Sequence, residues 1–400
     1  MKCLIIGGGP SGLAAGIEVL KESQERGKFC ECIIFEKDRT HQKPCGGLIT
    51  PKTRKLLIYL GAPTEIFNIC DEVEVKYKNL DFSYATSEDF YTCSRSNLLF
   101  YLIKKFINLG GKIIWGKVTN VDVEKKCVFT EKGVFQYDYV IFANGYMQQR
   151  YKKSVEDKKI YIGVSSVIPA SKIKINQNTN RVCIWFLKEL EGYCWSFPLP
   201  NSTYNVGFAG KISVFPKNNY TIVKEKFNKI LGTNSIKYRG CYLPIDDIMQ
   251  SNDLVEIESG IYRIGESGGY FDRLTGEGVY FALLTGILAA RHLCGNLVTN
   301  EYYKARKIIR RLCKGSCFTR KFLYRKWIVL DILLRIAPST KKLDRHMTDN
   351  LILKYRYGYY SAYLSPIFCY SNFMLPFNVQ RKLDLIIGNK EVRWNEEKNL

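Results

Sequence analysis

Histidine is nearly absent from this chain, with three residues in 400. So few imidazoles exclude a His-based metal centre. The close cysteine pairs, Cys30/Cys32 and Cys313/Cys317, have neither a second pair nor histidines at zinc spacing, so no metal ligand set is expected. Acid is short as well: 38 Asp and Glu stand against 60 Lys and Arg, a net charge of +22. That surplus asks for an anionic partner, whether cofactor phosphates, lipid head groups or nucleic acid. No internal repeat and no low-complexity tract is present, which excludes solenoid and disordered classes. The first motif starts almost at Met1 and leaves no room for a secretory or transit leader, so folding in the cytoplasm is expected. Fourteen cysteines then stay reduced and act mostly as small buried hydrophobes. A hydrophobic fraction of 46% suffices for two or three structural units with real cores.

What is present is glycine in two loops more than 250 residues apart. The first follows Lys2-Cys3-Leu4-Ile5-Ile6, an apolar run suited to a buried parallel strand. Gly7, Gly9 and Gly12 have G-x-G-x-x-G spacing around Ser11, and Leu13–Lys21 reads as a helix. Gly7 allows the tight turn, Gly9 lets a pyrophosphate approach the backbone, and Gly12 lets helix and strand pack closely. The helix start offers free N–H groups and a positive dipole end to phosphate. Cys32–Phe35 reads as the next strand, and Glu36 closes it 24 residues after Gly12, where an acid meets ribose hydroxyls. The second loop is Gly265–Gly278, GESGGYFDRLTGEG. A lone fingerprint serves any dinucleotide. Two loops at opposite ends of the core suggest one extended cofactor held at both ends, and FAD fits that best. No second G-x-G-x-x-G occurs, so a separate domain for stable NAD(P)H binding is not evident.

Further along, Pro51–Leu60 predicts a helix with proline in its first turn. Val73–Tyr77 and Leu80–Tyr84 can pair as strands. Arg95 opens a helix, Ser96–Asn108. Lys112–Trp115, Thr119–Val123, Cys127–Thr130 and Val134–Gln136 read as a small antiparallel layer. Tyr139–Phe142 is a buried strand ending at Ala143-Asn144-Gly145, a sharp turn beside the cofactor. Ile160–Ser166, Arg181–Leu187, Tyr193–Phe197 and Tyr204–Ala209 suggest an inserted antiparallel sheet. Ile261–Gly265 is a core strand again, and Gly276–Leu293 a helix pointing at the flavin. Residues 304–326 hold ten Lys or Arg and no acid. Residues 357–380 carry no charge and are long enough to span a bilayer, but their prolines, serines and asparagines argue against a spanning helix.

Four segments together resemble the geranylgeranyl reductase family of FAD-dependent oxidoreductases, whose fold is similar to that of p-hydroxybenzoate hydroxylase. They are Gly7–Gly12, Pro44-Cys45-Gly46-Gly47-Leu48, Tyr193-Cys194-Trp195-Ser196-Phe197-Pro198, and Gly265–Gly278. A CbrA-like bacterial branch is similar in carrying K-P-C-G-G-L and G-E at these places. Arg95 matches the family arginine that opens a helix and touches FAD. The chain departs from the family pattern at Glu266 (usually Asp), at Arg273 (usually Pro), and at Gly207-Phe208-Ala209 (usually G-x-G).

The resemblance implies an α/β fold. It comprises an FAD-binding Rossmann-type domain (residues 1–65, 94–155 and 255–295), an antiparallel substrate domain (66–93 and 156–254) and a basic, aromatic helical C-terminal region (296–400). Cofactor contacts are expected from Gly7, Gly9, Ser11, Gly12, Glu36, Cys45, Gly46, Gly47, Arg95, Val118, Gly145, Gly265, Glu266, Gly276, Gly278 and Val279. Tyr193, Trp195 and Phe197 are expected along an apolar substrate tunnel, with ordinary sheet core as the alternative. The implied reaction is hydride transfer from reduced flavin to a carbon–carbon double bond of a prenyl lipid or another apolar molecule, with NAD(P)H or a ferredoxin-like donor as reductant. Cys45 is either the proton donor or a small residue shaping the flavin face. A flavin monooxygenase or halogenase, or a flavin-bearing membrane-surface protein without catalysis, remains open beside it. The basic block is either a docking surface for an anionic leaflet at the inner membrane face or a solvated helix face. No recognition module accompanies it, so nucleic acid is not expected.

Overall fold

A computed structural model describes residues 1–37, 39, 43–78, 80–146, 160–174, 180–187, 189–211, 217–233, 236–244 and 259–325. The uncharged run 357–380 and Lys326 lie outside them.

The N-terminal apolar run forms β1 (Lys2–Ile6), in which Cys3, Leu4 and Ile5 have no exposed surface. Helix α1 (Pro10–Glu25) follows with proline in its first turn, and then β2 (Glu31–Glu36) pairs parallel to β1, Ile6 opposite Phe35. This β-α-β unit begins a five-stranded sheet that is completed later in the chain.

A two-residue strand, β3 (Leu48–Ile49), leads into α2 (Pro51–Tyr59). Then β4 (Asn68–Tyr77) and β5 (Leu80–Thr92) pair antiparallel with Val73 opposite Tyr84, as expected but longer. Helix α3 (Arg95–Asn108) buries Leu98, Leu102 and Phe106 against α1, a 4-residue spacing that keeps one face inward.

β6 (Lys112–Trp115) departs from the sequence reading. It does not join the small antiparallel layer; it pairs parallel to β2, Ile34 opposite Ile113. The crossover through α3 explains this, since a strand reached through a helix returns parallel to its sheet. The antiparallel layer holds the remaining three strands, β7 (Val118–Asp122), β8 (Cys127–Thr130) and β9 (Gly133–Gln136). β10 (Tyr139–Phe142) then pairs parallel with β1, Ile6 opposite Phe142.

The inserted sheet contains β11 (Ile160–Pro169), β12 (Arg181–Phe186), β13 (Gly192–Leu199), β14 (Thr203–Lys211) and β15 (Arg239–Pro244). With β3 to β5 it makes an eight-stranded sheet, ordered β15-β11-β14-β13-β12-β4-β5-β3. It is not purely antiparallel: β12 and β4 run parallel, because β12 is reached from β4 only after a long excursion through the other domain. An unexpected helix, α4 (Lys217–Leu231), crosses its outer face. Val223, Phe227 and Leu231, at 4-residue spacing, have no exposed surface there, a helical period overlooked amid the surrounding β-rich runs.

β16 (Ile261–Arg263) completes the parallel sheet, whose order is β16-β10-β1-β2-β6. Helix α5 starts at Val279 and runs to Leu293, three residues later than expected. Gly276 has φ +77°, a left-handed conformation that cannot open a helix. Leu283, Leu284 and Ile287 of α5 are fully buried against α1, each contributing about 2 kcal/mol of apolar burial. Basic helix α6 (Thr299–Arg325) lies against α5. Aligned registers put Gly7, Glu36 and Ala143 together beyond the carboxyl ends of β1, β2 and β10, where open α/β sheets hold ligands.

Candidate functional site

The first glycine loop is compressed. A Cβ on Gly12 would sit 2.0 Å from the Gly7 carbonyl oxygen, and one on Gly7 would sit 2.5 Å from that of Ala143. Glycine is therefore the only residue that fits at either place. Gly9 differs: a Cβ there would meet nothing closer than Arg95 Nη2, at 4.0 Å. Its open side faces the cavity, as a site for close phosphate approach requires. Glu36 accepts the Gly8 N–H at 2.7 Å, so the acid closing β2 stands at the fingerprint. Ser94 caps α3 by accepting the Asn97 N–H at 3.2 Å, which places Arg95 on the first helical turn. The Arg95 Nε is buried without a hydrogen-bond partner among the described residues. A guanidinium aimed at an open glycine beside a helix N-terminus fits a pyrophosphate.

The second loop meets the first directly. A Cβ on Gly265 would lie 3.0 Å from Ser11 Oγ. Glu266 sits between Gly145 and Gly278: its two oxygens lie 3.8 and 3.5 Å from where those residues would carry a Cβ. Lys43 Nζ grips both oxygens, at 2.5 and 2.6 Å. Burial alone would push the Lys43 ammonium down, but the Glu266 carboxylate outweighs it and holds the group above its ordinary value. Asp272 accepts the N–H groups of Leu274 and Thr275, both at 2.8 Å, and burial raises its carboxyl above the usual range. It shapes the turn from within. The Gly276 N–H donates to the Asp272 carbonyl at 3.0 Å, so the open dipole end of α5 lies at Gly278 and Val279 rather than at Gly276. Glu277 accepts from Thr50 and Thr53 hydroxyls at 2.7 and 2.9 Å and pairs with Lys52 at 2.9 Å, fastening the loop to α2. Arg273, at the position of the family's proline, donates to the Phe271 carbonyl at 3.1 Å, while its N–H donates to Ser316 of α6 at 3.0 Å.

Above these loops β13 presents an aromatic wall. Tyr193, Trp195 and Phe197 alternate onto one face, with ring centroids 5.8 and 6.1 Å apart. The Tyr193 hydroxyl donates to the Thr275 carbonyl, and burial, then the Asp272 and Glu277 carboxylates, push it well above its ordinary value. Trp195 and Phe197 pack on Gly46, where a Cβ would come within 3.3 Å of the Phe197 ring. Asn205 on β14 joins wall and loop: its carbonyl accepts Trp195 Nε1–H at 2.9 Å and its amide donates to the Cys45 carbonyl at 2.8 Å.

One cavity of about 1300 Å³ runs through all of this. It exceeds the ~300–1,000 Å³ of an ordinary ligand pocket, leaving room for an extended cofactor and a second molecule. Every expected site residue lines it except Gly12 and Gly265, which lie behind it as packing positions. Val118 lines it beside Trp115, and Cys45 beside Cys241. Lys43, Asn205 and Glu277 were not anticipated. Lys43 and Glu277 each stand inside a motif already singled out; Asn205 carries no local signal, because its role exists only between two strands and a loop.

No family model matches the chain. It is 24% identical over 405 residues to the chloroplastic geranylgeranyl diphosphate reductase of Arabidopsis thaliana, covering 90% of this chain and 80% of that one. Among solved structures, it resembles a geranylgeranyl bacteriochlorophyll reductase-like protein of Thermoplasma acidophilum (TM-score 0.65, 17% identity, 95% and 98% of the two chains). It also resembles a Klebsiella pneumoniae HpxO variant complexed with FAD (0.63, 12%, 87% and 98%). A triple mutant of the flavin-dependent brominase Bmp2 shares the fold too (0.60, 16%, 84% and 93%). The fold is that of the FAD-binding, p-hydroxybenzoate hydroxylase-like flavoproteins.

Proposed function

We propose that the protein is an FAD-dependent oxidoreductase that reduces a carbon–carbon double bond in a prenyl lipid. The observation that carries this reading is the aromatic wall Tyr193-Trp195-Phe197 closing over the Cys45-Gly46-Gly47 turn in the same cavity as the fingerprint. Rings there would hold an apolar chain.

When bound, FAD supplies hydride transfer. The rest falls to this chain. Gly7, Gly9, Ser11 and the start of α1 would receive the pyrophosphate together with Arg95. Glu36 would take ribose hydroxyls, with Val118, Gly145 and Glu266 among the residues that would hold the group. The N–H groups at the start of α5 would stabilise negative charge on the ring, and Gly46 and Gly47 would let the backbone lie close to it. An isolated alkene has no carbonyl to polarise, so the wall must hold the double bond in place and an acid must give the second carbon a proton. Cys45 fills that role, and Asn205 holds its backbone still. Electrons come from NAD(P)H or a ferredoxin-like donor that visits and leaves, since the chain has no second fingerprint. The protein works in the cytoplasm at the inner face of a membrane. No helix among the described residues is long and apolar enough to cross one.

The test is anaerobic reduction of the purified protein, incubation with a mixed prenyl-lipid extract, and mass spectrometry. The expected product is heavier by two hydrogens and disappears in Cys45→Ala. An oxygen-dependent hydroxylated or halogenated product instead would favour the monooxygenase or halogenase reading.

A further inference from the structure

The basic block of α6 does not face one way. Arg306 and Arg320 are turned inward, 5% and 3% exposed, and Arg306 donates to the Tyr270 hydroxyl at 2.7 Å. Lys304, Lys307, Arg311 and Lys314 are exposed. Their 3-4-3 spacing sets them within an arc of about 80° along roughly 15 Å of helix. No acid interrupts the interval 304–314. A solvated face that served solubility alone would intersperse both signs; this one is a single-sign stripe. Where α6 begins, two large apolar side chains stand in solvent: Phe29 at 83% and Val298 at 63% exposure. Their loops adjoin: a Cβ on Gly295 would lie 3.6 Å from Arg26 Nη1, and Asn296 donates to Glu22 near the end of α1 at 2.8 Å. Exposed Arg26 and Lys28 precede Phe29. Cationic helix face and apolar tips together match a surface that is anionic outside and apolar beneath.

We propose that α6 docks the protein on an anionic membrane through the stripe Lys304, Lys307, Arg311 and Lys314, with Phe29 and Val298 as apolar contacts at its foot. The opposite side of the same helix holds the second glycine loop, through Arg306 to Tyr270 and Ser316 to Arg273. Docking therefore fixes how the cavity stands relative to the bilayer. This gives the prenyl-lipid reading above a route for its substrate and rests on it for that purpose alone.

The experiment is sedimentation of the full-length protein with vesicles of phosphatidylcholine alone and of phosphatidylcholine with one quarter phosphatidylglycerol. The wild type is expected to pellet with the anionic vesicles only, and 0.5 M salt is expected to release it by shortening the screening length to a few ångströms. Each cation near the leaflet adds about fivefold to partitioning, so Lys304→Gln/Lys307→Gln/Arg311→Gln/Lys314→Gln should weaken binding at least tenfold with an unchanged circular dichroism spectrum. Phe29→Ser/Val298→Ser should weaken pelleting with the anionic vesicles at low salt, where the charge of the stripe is unchanged. Equal binding to neutral vesicles, no vesicle binding, an unaffected quadruple variant, or binding to duplex DNA in place of vesicles overturns the proposal. Vesicle binding without any two-hydrogen product would leave docking standing and sink the prenyl-reductase reading; product without vesicle binding would do the reverse.

Discussion

Asn205 offers a sharp test of the site because it is a single buried amide, 5% exposed, with two jobs. Trp195 Nε1 can only donate, so the Asn205 carbonyl must face it, and the amide NH₂ must face Cys45. Asn205→Ala removes both partners at once. An unpaired buried donor or acceptor costs about 1–3 kcal/mol. The two together give about 2–6 kcal/mol, falling to about 1–3 kcal/mol where cavity water reaches the Cys45 carbonyl. Urea unfolding should register this as a lower midpoint at constant slope. The freed Cys45-Gly46-Gly47 turn should also change the visible spectrum of bound flavin and weaken its retention. Asn205→Asp separates the two bonds. It keeps an acceptor for Trp195 but sets an oxygen against the Cys45 carbonyl at a place where the wild-type contact is 2.8 Å, so the flavin spectrum should shift as far as in Asn205→Ala. A stability change under about 0.5 kcal/mol with an unaltered flavin spectrum would show that Asn205 does not hold the turn.

Other perturbations separate packing from binding. Gly12→Ala should abolish folding of the first β-α-β unit, seen as loss of soluble protein, because its Cβ would meet the Gly7 oxygen at 2.0 Å. Gly9→Ala should leave the thermal midpoint of the apoprotein unchanged, yet weaken FAD at least tenfold by titration, since only the ligand side is filled. Arg291 donates to the fully buried Glu18 at 2.6 Å, so Arg291→Met should cost about 3–5 kcal/mol by denaturant titration, and Arg291→Met/Glu18→Leu should recover much of it. His292 is held below its ordinary value by burial and then by Arg306, with its Nδ1 2.9 Å from the Tyr262 hydroxyl. The unfolded chain therefore takes up the proton first, and stability should be complete above about pH 6.5 and fall as pH drops through it. His292→Gln should flatten that slope in a thermal-shift series from pH 7.5 to 5.5.

Where the sequence was legible, the physics was local. The β-α-β start could be read because strand, glycines, helix and acid follow one another within a single unit, and each step carries its own steric or electrostatic reason. Tyr193, Trp195 and Phe197 share a face because a strand has period two. Two misreadings mark where local physics ends. Lys112–Trp115 has the composition of any short strand, and nothing within four residues says which neighbour it pairs with; the α3 crossover decides that. Helix α4 has a clear apolar spacing, but it was submerged in β-rich surroundings. The parallel β12–β4 pair joins segments more than a hundred residues apart, beyond the reach of any pattern.

By itself the sequence determined the β-α-β start, the two glycine loops and the shared face of Tyr193, Trp195 and Phe197, because glycine sterics, strand alternation and helix dipoles act between neighbours in the chain. Only the tertiary structure decided that Lys43 belongs to Glu266, that Asn205 ties Trp195 to Cys45, and that buried arginines divide α6 into an inner and an outer face. Those outcomes depend on which surfaces meet when the sheets pack, and hydrogen bonds and ion pairs across such contacts exist only once water has been squeezed from between them.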